Sequence, residues 1–440
     1  MGSKRLSLRE FQMYRQTMSR PVEKCAVALL LAFLGMTGSV AGDWSQWRGP
    51  ERTAVVQNEA IRTEFATPPK LLWTFRSAGA GYSSPSVVGN VVYCLGADEE
   101  SDFANAINLE TGEQIWKTKL GPVFRESRGN GPRGSPTIDG SYLFCVRGGG
   151  EIHCLNTKDG KQVWSKSSRR DFGGKLMSGW GYSESPLVDG DHVIFTPGGD
   201  GAMVALRKAT GETVWRAQGL SDDAAHSSPI VAEPMGVRQY INLTRRGVAG
   251  VRASDGKLLW FYARTQNVAA IPTPVYHDHH VFVTSGYGSG CDLIRLTKEG
   301  EEFKAEKVYH NKDMINHHGG VVLIDGFIYG HSYEPRREAP GWACLDFKTG
   351  AMKWKLGNKR PGKGAVIAVN HHLFCYDEDT GTVHVGRASP DGWKETGQIK
   401  PPTRSSIRTR DNKFWAHPVV ANGRLLIRDQ DLIFCYDLRP

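Results

Sequence analysis

The sequence predicts an all-β protein, an eight-bladed β-propeller with four antiparallel strands in each blade. A turn followed by tryptophan recurs about every 45 residues, as in NLETGEQIW ending at Trp116 and NTKDGKQVW ending at Trp164. Between these copies lies a second element, such as SSPSVVGNVVYC from Ser83, which occurs eight times. No helical periodicity follows residue 70. Units this short cannot bury their faces alone, so they must stack around a ring.

The first 41 residues predict a secretory signal peptide. A basic stretch precedes the short apolar run CAVALLLAFLGM, and small residues follow it up to Ala41, near which we expect cleavage. The apolar run is too short to favour a membrane span, and no cysteine stands at the cleavage site for lipid attachment. We therefore expect an exported, cleaved and monomeric chain, periplasmic or extracellular, without stable membrane insertion.

Residues 42–70 predict an N-terminal arm, and residues 71–440 predict the propeller. The last repeat stops at LIFCYDLRP, before any fourth strand, whereas the first strand, KLLWTF with Trp73, has no preceding partners. Pairing the Trp73 strand with the last blade would complete the eighth sheet and remove two open edges. The sequence thus predicts a ring that an N-terminal strand closes.

Within each repeat, the SP-x-V-x-G element predicts a hairpin, strands A and B, because two apolar runs flank a tight turn. A third alternating run predicts strand C, and an Asp-Gly or Thr-Gly turn leads to strand D with its tryptophan. Two blades depart from this pattern. Lys304 stands at the expected tryptophan position of blade five, and Thr396 at that of blade seven.

Charge and cysteine content limit the possible partners. The formal charge is +9, but residues 1–41 hold six of the Lys and Arg residues and two Glu residues, which leaves +5 on the mature chain. So small an excess, on an exported chain, argues against nucleic acid. Seven cysteines follow residue 41. Cys145 and Cys154 flank one hairpin and could form a disulfide, or both could be small buried side chains.

The repeat resembles the PQQ-like propeller repeat, which quinoprotein alcohol dehydrogenases and BamB-like envelope proteins share. The SP-x-V and TG-x-x-x-W patterns carry the resemblance, and DWSQWRGPERT from Asp43 is similar to the N-terminal segment of secreted bacterial members. The resemblance implies PQQ with calcium as a cofactor of the dehydrogenases. However, this chain has no adjacent cysteine pair and no C-x-x-C-H haem segment. No motif of the sequence supports PQQ or calcium.

The loops before strand A predict a binding site, because they surround one mouth of a propeller's channel. The position three residues before each strand-A proline, or its equivalent, holds Tyr82, Arg133, Ser183, His226, Ile271, Asn316, Gly362 and Trp415. His318 and His417 precede strand A in blades six and eight. The candidate binding residues are Tyr82, Arg133, Tyr182, His226, His318, Trp415 and His417. We predict no metal ligands and no catalytic residues.

Basic residues such as Arg128 and Lys413 occur in most of these loops, with the aromatic residues Trp180, Tyr182 and Trp415 interleaved. The mouth therefore suits an anionic polysaccharide, another carbohydrate-like ligand, or an envelope protein. The leading hypothesis is a non-catalytic binding or scaffold propeller. Two alternatives remain open, a PQQ-dependent dehydrogenase and an outer-membrane assembly scaffold of BamB type.

Overall fold

The computed structural model confirms an eight-bladed β-propeller. It describes residues 42–266, 268–333, 340–407, 409–411 and 413–440, so the predicted signal peptide lies outside the described residues. Each blade is a four-stranded antiparallel sheet in the order A–B–C–D. The A strands of neighbouring blades contact one another and surround the central channel.

Blades one to four follow the chain in order. Blade one contains Ser86–Val88, Val91–Ala97, Ser101–Asn108 and Gln114–Pro122. Blade two contains Thr137–Asp139, Tyr142–Val146, Glu151–Asn156 and Gln162–Ser167. Blade three contains Leu187–Asp189, His192–Phe195, Val204–Arg207 and Thr213–Arg216. Blade four contains Ile230–Ala232, Gln239–Leu243, Gly247–Arg252 and Leu258–Ala263.

Blades five to eight complete the ring. Blade five contains Val275–His277, His280–Ser285, Gly290–Glu299 and Glu302–Asn311. Blade six contains Val321–Ile324, Phe327–Ser332, Gly341–Asp346 and Met352–Lys355. Blade seven contains Gly364–Val369, His372–Asp377, Val383–Arg387 and Lys394–Ile399. Blade eight contains Val419–Ala421, Arg424–Asp429 and Leu432–Asp437.

An N-terminal strand closes the ring, as the sequence predicts. Leu71–Phe75 pairs antiparallel with Leu432–Asp437 and becomes strand D of blade eight. Trp73 lies opposite Cys435 in this ladder. The two chain ends therefore share one sheet, and neither leaves an unpaired strand at the closure.

Smaller elements lie outside the blades. A one-turn helix, Ser168–Phe172, follows blade two, where the sequence predicts no helix, and a 3-10 turn occupies Pro234–Gly236. Gly199–Asp200 and Ser221–Asp222 form a short two-stranded ladder, and Val55–Val56 pairs parallel with strand A of blade seven. In the part of the chain that the structure describes, no helix is long and apolar enough to span a membrane.

In most blades, the repeated tryptophan joins one blade to the next. Trp164 lies opposite Cys154 in its own blade, and its indole Nε1 donates to the Lys208 carbonyl of blade three at 2.9 Å. Its ring covers Gly211, where an added Cβ would lie 2.7 Å from the ring. Gly211 also has a φ of +73°, so the turn requires glycine both for its backbone and for the close approach of the tryptophan.

The structure corrects the predicted register of blade five. Tyr309, and not Lys304, lies opposite Leu293 at the position equivalent to the tryptophan. Its hydroxyl donates to the Phe347 carbonyl of blade six at 2.9 Å, the same type of contact that the tryptophans make. The prediction was wrong because strands C and D of this blade are each ten residues long. The position equivalent to the tryptophan therefore lies farther along strand D from the turn than in the other blades.

The register of blade seven also differs from the prediction. Gly397, and not Thr396, lies opposite Val385 at the tryptophan position. Phe65 of the N-terminal arm fills the space, since a Cβ on Gly397 would lie 2.5 Å from the Phe65 ring. The Phe65 amide donates to the Thr396 carbonyl at 2.8 Å, and its side chain is 8% exposed. The arm thus supplies the aromatic ring that blade seven lacks.

Hydroxyl groups of the SP motif bridge adjacent A strands around the channel. Ser86 Oγ donates to the Pro136 carbonyl at 2.6 Å, and Ser227 Oγ donates to the Pro272 carbonyl at 3.1 Å. Ser84 Oγ of blade one instead accepts a hydrogen bond, from the His417 amide of blade eight at 2.6 Å. The motif therefore satisfies buried polar groups where no strand pairing is possible.

The first part of the arm lies in the channel and touches most blades. The amide and carbonyl of Trp44 pair with Val87 of blade one. The buried Arg48 guanidinium donates to the Val321 carbonyl of blade six at 2.6 Å, and Arg52 donates to the Ser185 carbonyl of blade three at 2.7 Å. Two buried cations therefore attach the arm to carbonyls on separate sides of the ring.

The cysteines are buried and free. All seven cysteines after residue 41 are buried thiols. Cys145 lies opposite His153 and Cys154 lies opposite Phe144, so the two side chains point to opposite faces of the blade-two sheet. Cys145 and Cys154 therefore do not form a disulfide.

Candidate functional site

A cavity of about 140 Å³ lies at the channel mouth that the loops before strand A form. We call it the central cavity. It is lined by Trp47, Tyr82, Glu126, Arg128, Arg133, Trp180, Ser183, His226, Ser228, Ile271, Tyr287, His317, His318, Trp415 and His417. Its lining residues come from the arm and from seven of the eight blades or their preceding loops.

The structure brings six of the seven candidate binding residues to this cavity. They are Tyr82, Arg133, His226, His318, Trp415 and His417. The seventh, Tyr182, does not line it. Its ring is 2% exposed and packs in the core between blades two and three, and its hydroxyl donates to the Pro197 carbonyl at 2.8 Å. Tyr182 is therefore a structural residue. Its neighbour Ser183 takes the place at the mouth.

Sequence reasoning missed Trp47 and Tyr287 as lining residues. Trp47 belongs to the arm, so the repeat register does not place it, although DWSQWRGPERT marked its segment. Its indole Nε1 donates to Thr273 Oγ1 of blade five at 2.9 Å, and its ring lies 4.5 Å from the His417 ring. Tyr287 belongs to the turn between strands B and C of blade five, where no repeated motif indicates a contact with the mouth.

Aromatic rings make up much of the wall. The centroids of Tyr82 and Trp415 are 5.0 Å apart, and Trp415 lies 5.1 Å from the His318 ring. Trp180 stacks on His226 at 5.6 Å. Rings that contact one another lose little further conformational freedom when a ligand packs against them. The wall is therefore a rigid apolar surface.

The histidines of the wall are neutral at physiological pH. Burial lowers the pKa of His226 to about 4 and that of His417 to about 3, with a smaller contribution from Arg133 and Arg48 respectively. Burial also lowers the pKa of His318. His226 lies between two hydroxyls, Ser178 Oγ at 2.8 Å and Ser183 Oγ at 3.1 Å. A neutral imidazole offers one donor and one acceptor, and here both ring nitrogens hold serine hydroxyls. His226 therefore orients the Ser183 hydroxyl on the wall without adding a charge.

The two arginines of the wall have acidic partners. Arg133 donates to Glu126 at 3.3 Å and to the carbonyls of Gly129 and Gly131 at 2.9 Å each. Arg128 donates to Asp411 Oδ2 at 2.8 Å. Basic residues do collect at the mouth, as the sequence indicates, but these two charges are already compensated.

Glu378 compensates further cations beside the cavity. Its carboxylate is 4% exposed and lies 3.2 Å from both Lys363 Nζ and His318 Nε2, and it accepts from Trp415 Nε1 at 3.2 Å. Despite burial, the hydrogen bond from His318 and the charges of Lys363 and Lys413 hold the pKa of Glu378 well below its usual range. The carboxylate therefore fixes the orientation of Trp415 and His318 on the wall.

The central cavity does not fit PQQ with calcium. Calcium binds several carboxylate or carbonyl oxygens, yet the wall offers one carboxylate, Glu126, which already accepts from Ser127, Arg128 and Arg133. Among the described residues, no group of three or more His, Cys, Asp or Glu side chains could hold a metal ion. A cavity of about 140 Å³ also has room for one small ring rather than for a three-ring cofactor.

Comparison with known proteins identifies the family. The family described as outer membrane protein assembly factor BamB matches residues 100–356, more than half of the chain. The chain belongs to this family of PQQ-like propellers. The outer membrane protein assembly factor BamB of Yersinia pestis is 23% identical over 86% of this chain and 91% of its own length. The BamB of Burkholderia pseudomallei is 31% identical, but the match spans only 41% of this chain and 39% of that protein.

A solved structure supports the same fold. A europium-containing methanol dehydrogenase aligns with a TM-score of 0.66 over 88% of this chain and 90% of its own, at 13% identity. Identity this low shows a shared fold alone, because unrelated activities occur on one fold.

Proposed function

We propose that this chain is an exported, non-catalytic binding propeller whose central cavity takes an uncharged, carbohydrate-like ring. One observation carries the proposal. The wall consists of aromatic rings and neutral imidazoles, and its two arginines are already paired with Asp411 and Glu126. Export rests on the predicted signal peptide and on the envelope relatives that the family name describes.

The chemistry of a sugar ring matches this wall. A pyranose presents C–H groups on its faces, which pack against aromatic rings, and hydroxyls at its edge, which both donate and accept. Trp180, Trp415 and Tyr82 supply the rings, and His226 with its neighbouring serines supplies the hydrogen-bonding groups. A dry cavity of about 150 Å³ accommodates one benzene ring, so the central cavity suits one sugar residue.

An anionic ligand would have to displace existing ion pairs. Releasing Arg133 would take one donor from Glu126 and the side-chain donor from the Gly129 and Gly131 carbonyls, and an unpaired buried group costs about 1–3 kcal/mol. We therefore favour a neutral ring over an anionic one in this cavity.

Isothermal titration calorimetry with neutral disaccharides, selected on a glycan array, tests the proposal. We expect Trp180→Ala to weaken binding at least tenfold at both low and high salt, because stacking is not screened. The control is Trp393→Ala, which removes an indole that packs on Gly386 and does not line the cavity. Binding that Trp180→Ala leaves unchanged, or that falls steeply with salt, contradicts the proposal.

A second candidate function is an assembly scaffold for envelope proteins, because the family match and the Yersinia relative carry that description. Crosslinking in cells followed by mass spectrometry tests it. A reproducible envelope-protein partner at the blade surfaces supports the scaffold, whereas crosslinks that vary from one preparation to the next argue against it.

A further inference from the structure

Three cavities meet at one residue of the mouth, Tyr287. The first is the central cavity. The second, the blade-five cleft, has a volume of about 620 Å³ and is lined by Arg264, Asp292, Lys307, His310 and Lys312, among others. The third, the blade-seven cleft, has a volume of about 470 Å³ and includes Lys363, Glu378 and Lys413. Tyr287 lines all three.

Tyr287 has an unusual backbone and an unusual exposure. Its φ is +51°, a left-handed conformation that L side chains rarely adopt. Its ring is 43% exposed and meets the His317 ring edge-on at 5.1 Å. A strained, exposed aromatic ring between cavities contributes little to the core, which points to contact with a ligand.

The floor of the blade-five cleft is satisfied internally. Asp292 is 3% exposed and accepts from Arg264 Nε at 2.5 Å, from the Tyr262 hydroxyl at 3.1 Å and from His310 at 3.1 Å. The remaining Arg264 donors bind Ser285 Oγ and the Gly290 carbonyl, each at 2.6 Å. This floor therefore holds its shape without a ligand.

The rim of the same cleft is positively charged. Lys307 and Lys312 are exposed, and neither forms an ion pair within the described parts of the chain. Arg245 adds a third cation, with Asp223 at 2.8 Å as its partner. In the blade-seven cleft, by contrast, the carboxylates of Glu378, Asp379 and Asp411 face four cations, which are Arg128, Lys359, Lys363 and Lys413. The larger excess of positive charge thus lies on the blade-five side of the central cavity.

We propose that the three cavities are subsites of one groove for a linear, acidic oligosaccharide. This inference rests on the proposed function, which places a neutral ring in the central cavity. Tyr287 packs against the oligosaccharide at the point where the oligosaccharide passes from one subsite to the next. A carboxylate on a sugar residue next to the neutral ring lies at Lys307 and Lys312. On the other side, the oligosaccharide continues into the blade-seven cleft, where carboxylates offset most of the positive charge.

Calorimetry with hyaluronan hexasaccharide, its carboxyl-reduced form and its disaccharide tests the groove. At about 50 mM salt, we expect the acidic hexasaccharide to bind about tenfold more tightly than the reduced form. Lys307→Ala/Lys312→Ala should remove that advantage without changing the affinity of the reduced form. Tyr287→Ala should weaken both hexasaccharides about tenfold more than it weakens the disaccharide, because only the longer ligands pass from one subsite to the next.

The outcomes separate the two proposals. If the disaccharide binds, but the hexasaccharide binds no more tightly and its carboxylates add no affinity, the groove is refuted and the proposed function stands. If no saccharide of the glycan array binds, both are refuted. If an unfolded peptide competes through Tyr287 while no saccharide does, the groove serves proteins and the inference is wrong. An unchanged melting temperature of each variant confirms that it folds.

Discussion

Replacing Phe65 by Ala tests whether the arm completes blade seven. Phe65 is 8% exposed and lies over Gly397, where other blades carry a tryptophan. A phenylalanine buries on the order of 200 Å², which at about 25 cal/mol per Å² gives an upper limit near 5 kcal/mol. Since the arm can relax partly into the space, we expect a loss of about 3–4 kcal/mol.

Differential scanning calorimetry measures this loss. The unfolding entropy of about 400 residues is about 0.8 kcal/mol per kelvin at about 2.1 cal/mol per kelvin per residue. The melting temperature should therefore fall by about 4–5 °C if the ring unfolds cooperatively. Hydrogen exchange should accelerate first in Lys394–Ile399, whose Thr396 carbonyl accepts from the Phe65 amide.

A compensating variant makes the test specific. Gly397→Trp alone should destabilise the protein, because its Cβ would lie 2.5 Å from the Phe65 ring. Combined with Phe65→Ala, the same tryptophan should recover part of the lost stability, since it restores the usual arrangement. Additive losses in the double variant, or an unchanged melting curve for Phe65→Ala, would refute this role of the arm.

The remaining predictions concern the ring and the cavity. Trp164→Ala should lower the free energy of unfolding by about 3–5 kcal/mol, because it opens a space between blades two and three. Ile115→Ala, at a side chain that is 49% exposed, should lower it by less than about 1 kcal/mol. Equal losses in urea unfolding would contradict the role of Trp164 between the two blades. Tyr309→Ala should destabilise the protein in thermal melts, and Lys304→Ala should not; the reverse order would mean that the blade-five register is wrong. The pKa values of His226 and His417 lie below that of an unfolded histidine, so their contribution to stability is present above about pH 6.5 and is lost as the pH falls toward 4. Melting temperatures from pH 7 to pH 5 should therefore fall more steeply for the natural chain than for His226→Gln/His417→Gln, and parallel curves would contradict this.

The repeat periodicity of the sequence predicted most of the fold. The tryptophan turns and the SP hairpins are local patterns, so eight blades and the closing Trp73 strand could be predicted from them. Blade five and blade seven could not be aligned correctly, because their registers depend on the length of a hairpin and on Phe65, which is distant in sequence. The position of the arm in the channel could not be predicted either, because Arg48 and Arg52 bind backbone carbonyls, which no side-chain pattern indicates.

The site could be located in part. Counting back from strand A placed Tyr82, Arg133, His226 and Trp415 at one mouth, because the repeat geometry is regular. The same counting placed Ser183 there, and the structure has it at the opening. Tyr182 was proposed only as a neighbouring aromatic residue of the loop, and its ring packs in the core instead. Charge compensation was not predictable, since Glu126 and Asp411 approach the arginines through loop conformations that the sequence does not specify.

A crystal structure of the protein with the tightest-binding neutral oligosaccharide tests the central claim most directly. We predict one sugar ring in the central cavity, with a face against Trp180 or Trp415 and hydroxyls within hydrogen-bond distance of His226 or Ser183. The arginine pairs with Glu126 and Asp411 should remain intact. A sugar bound outside this cavity, or a central cavity that stays without sugar at saturating concentration, would contradict the account.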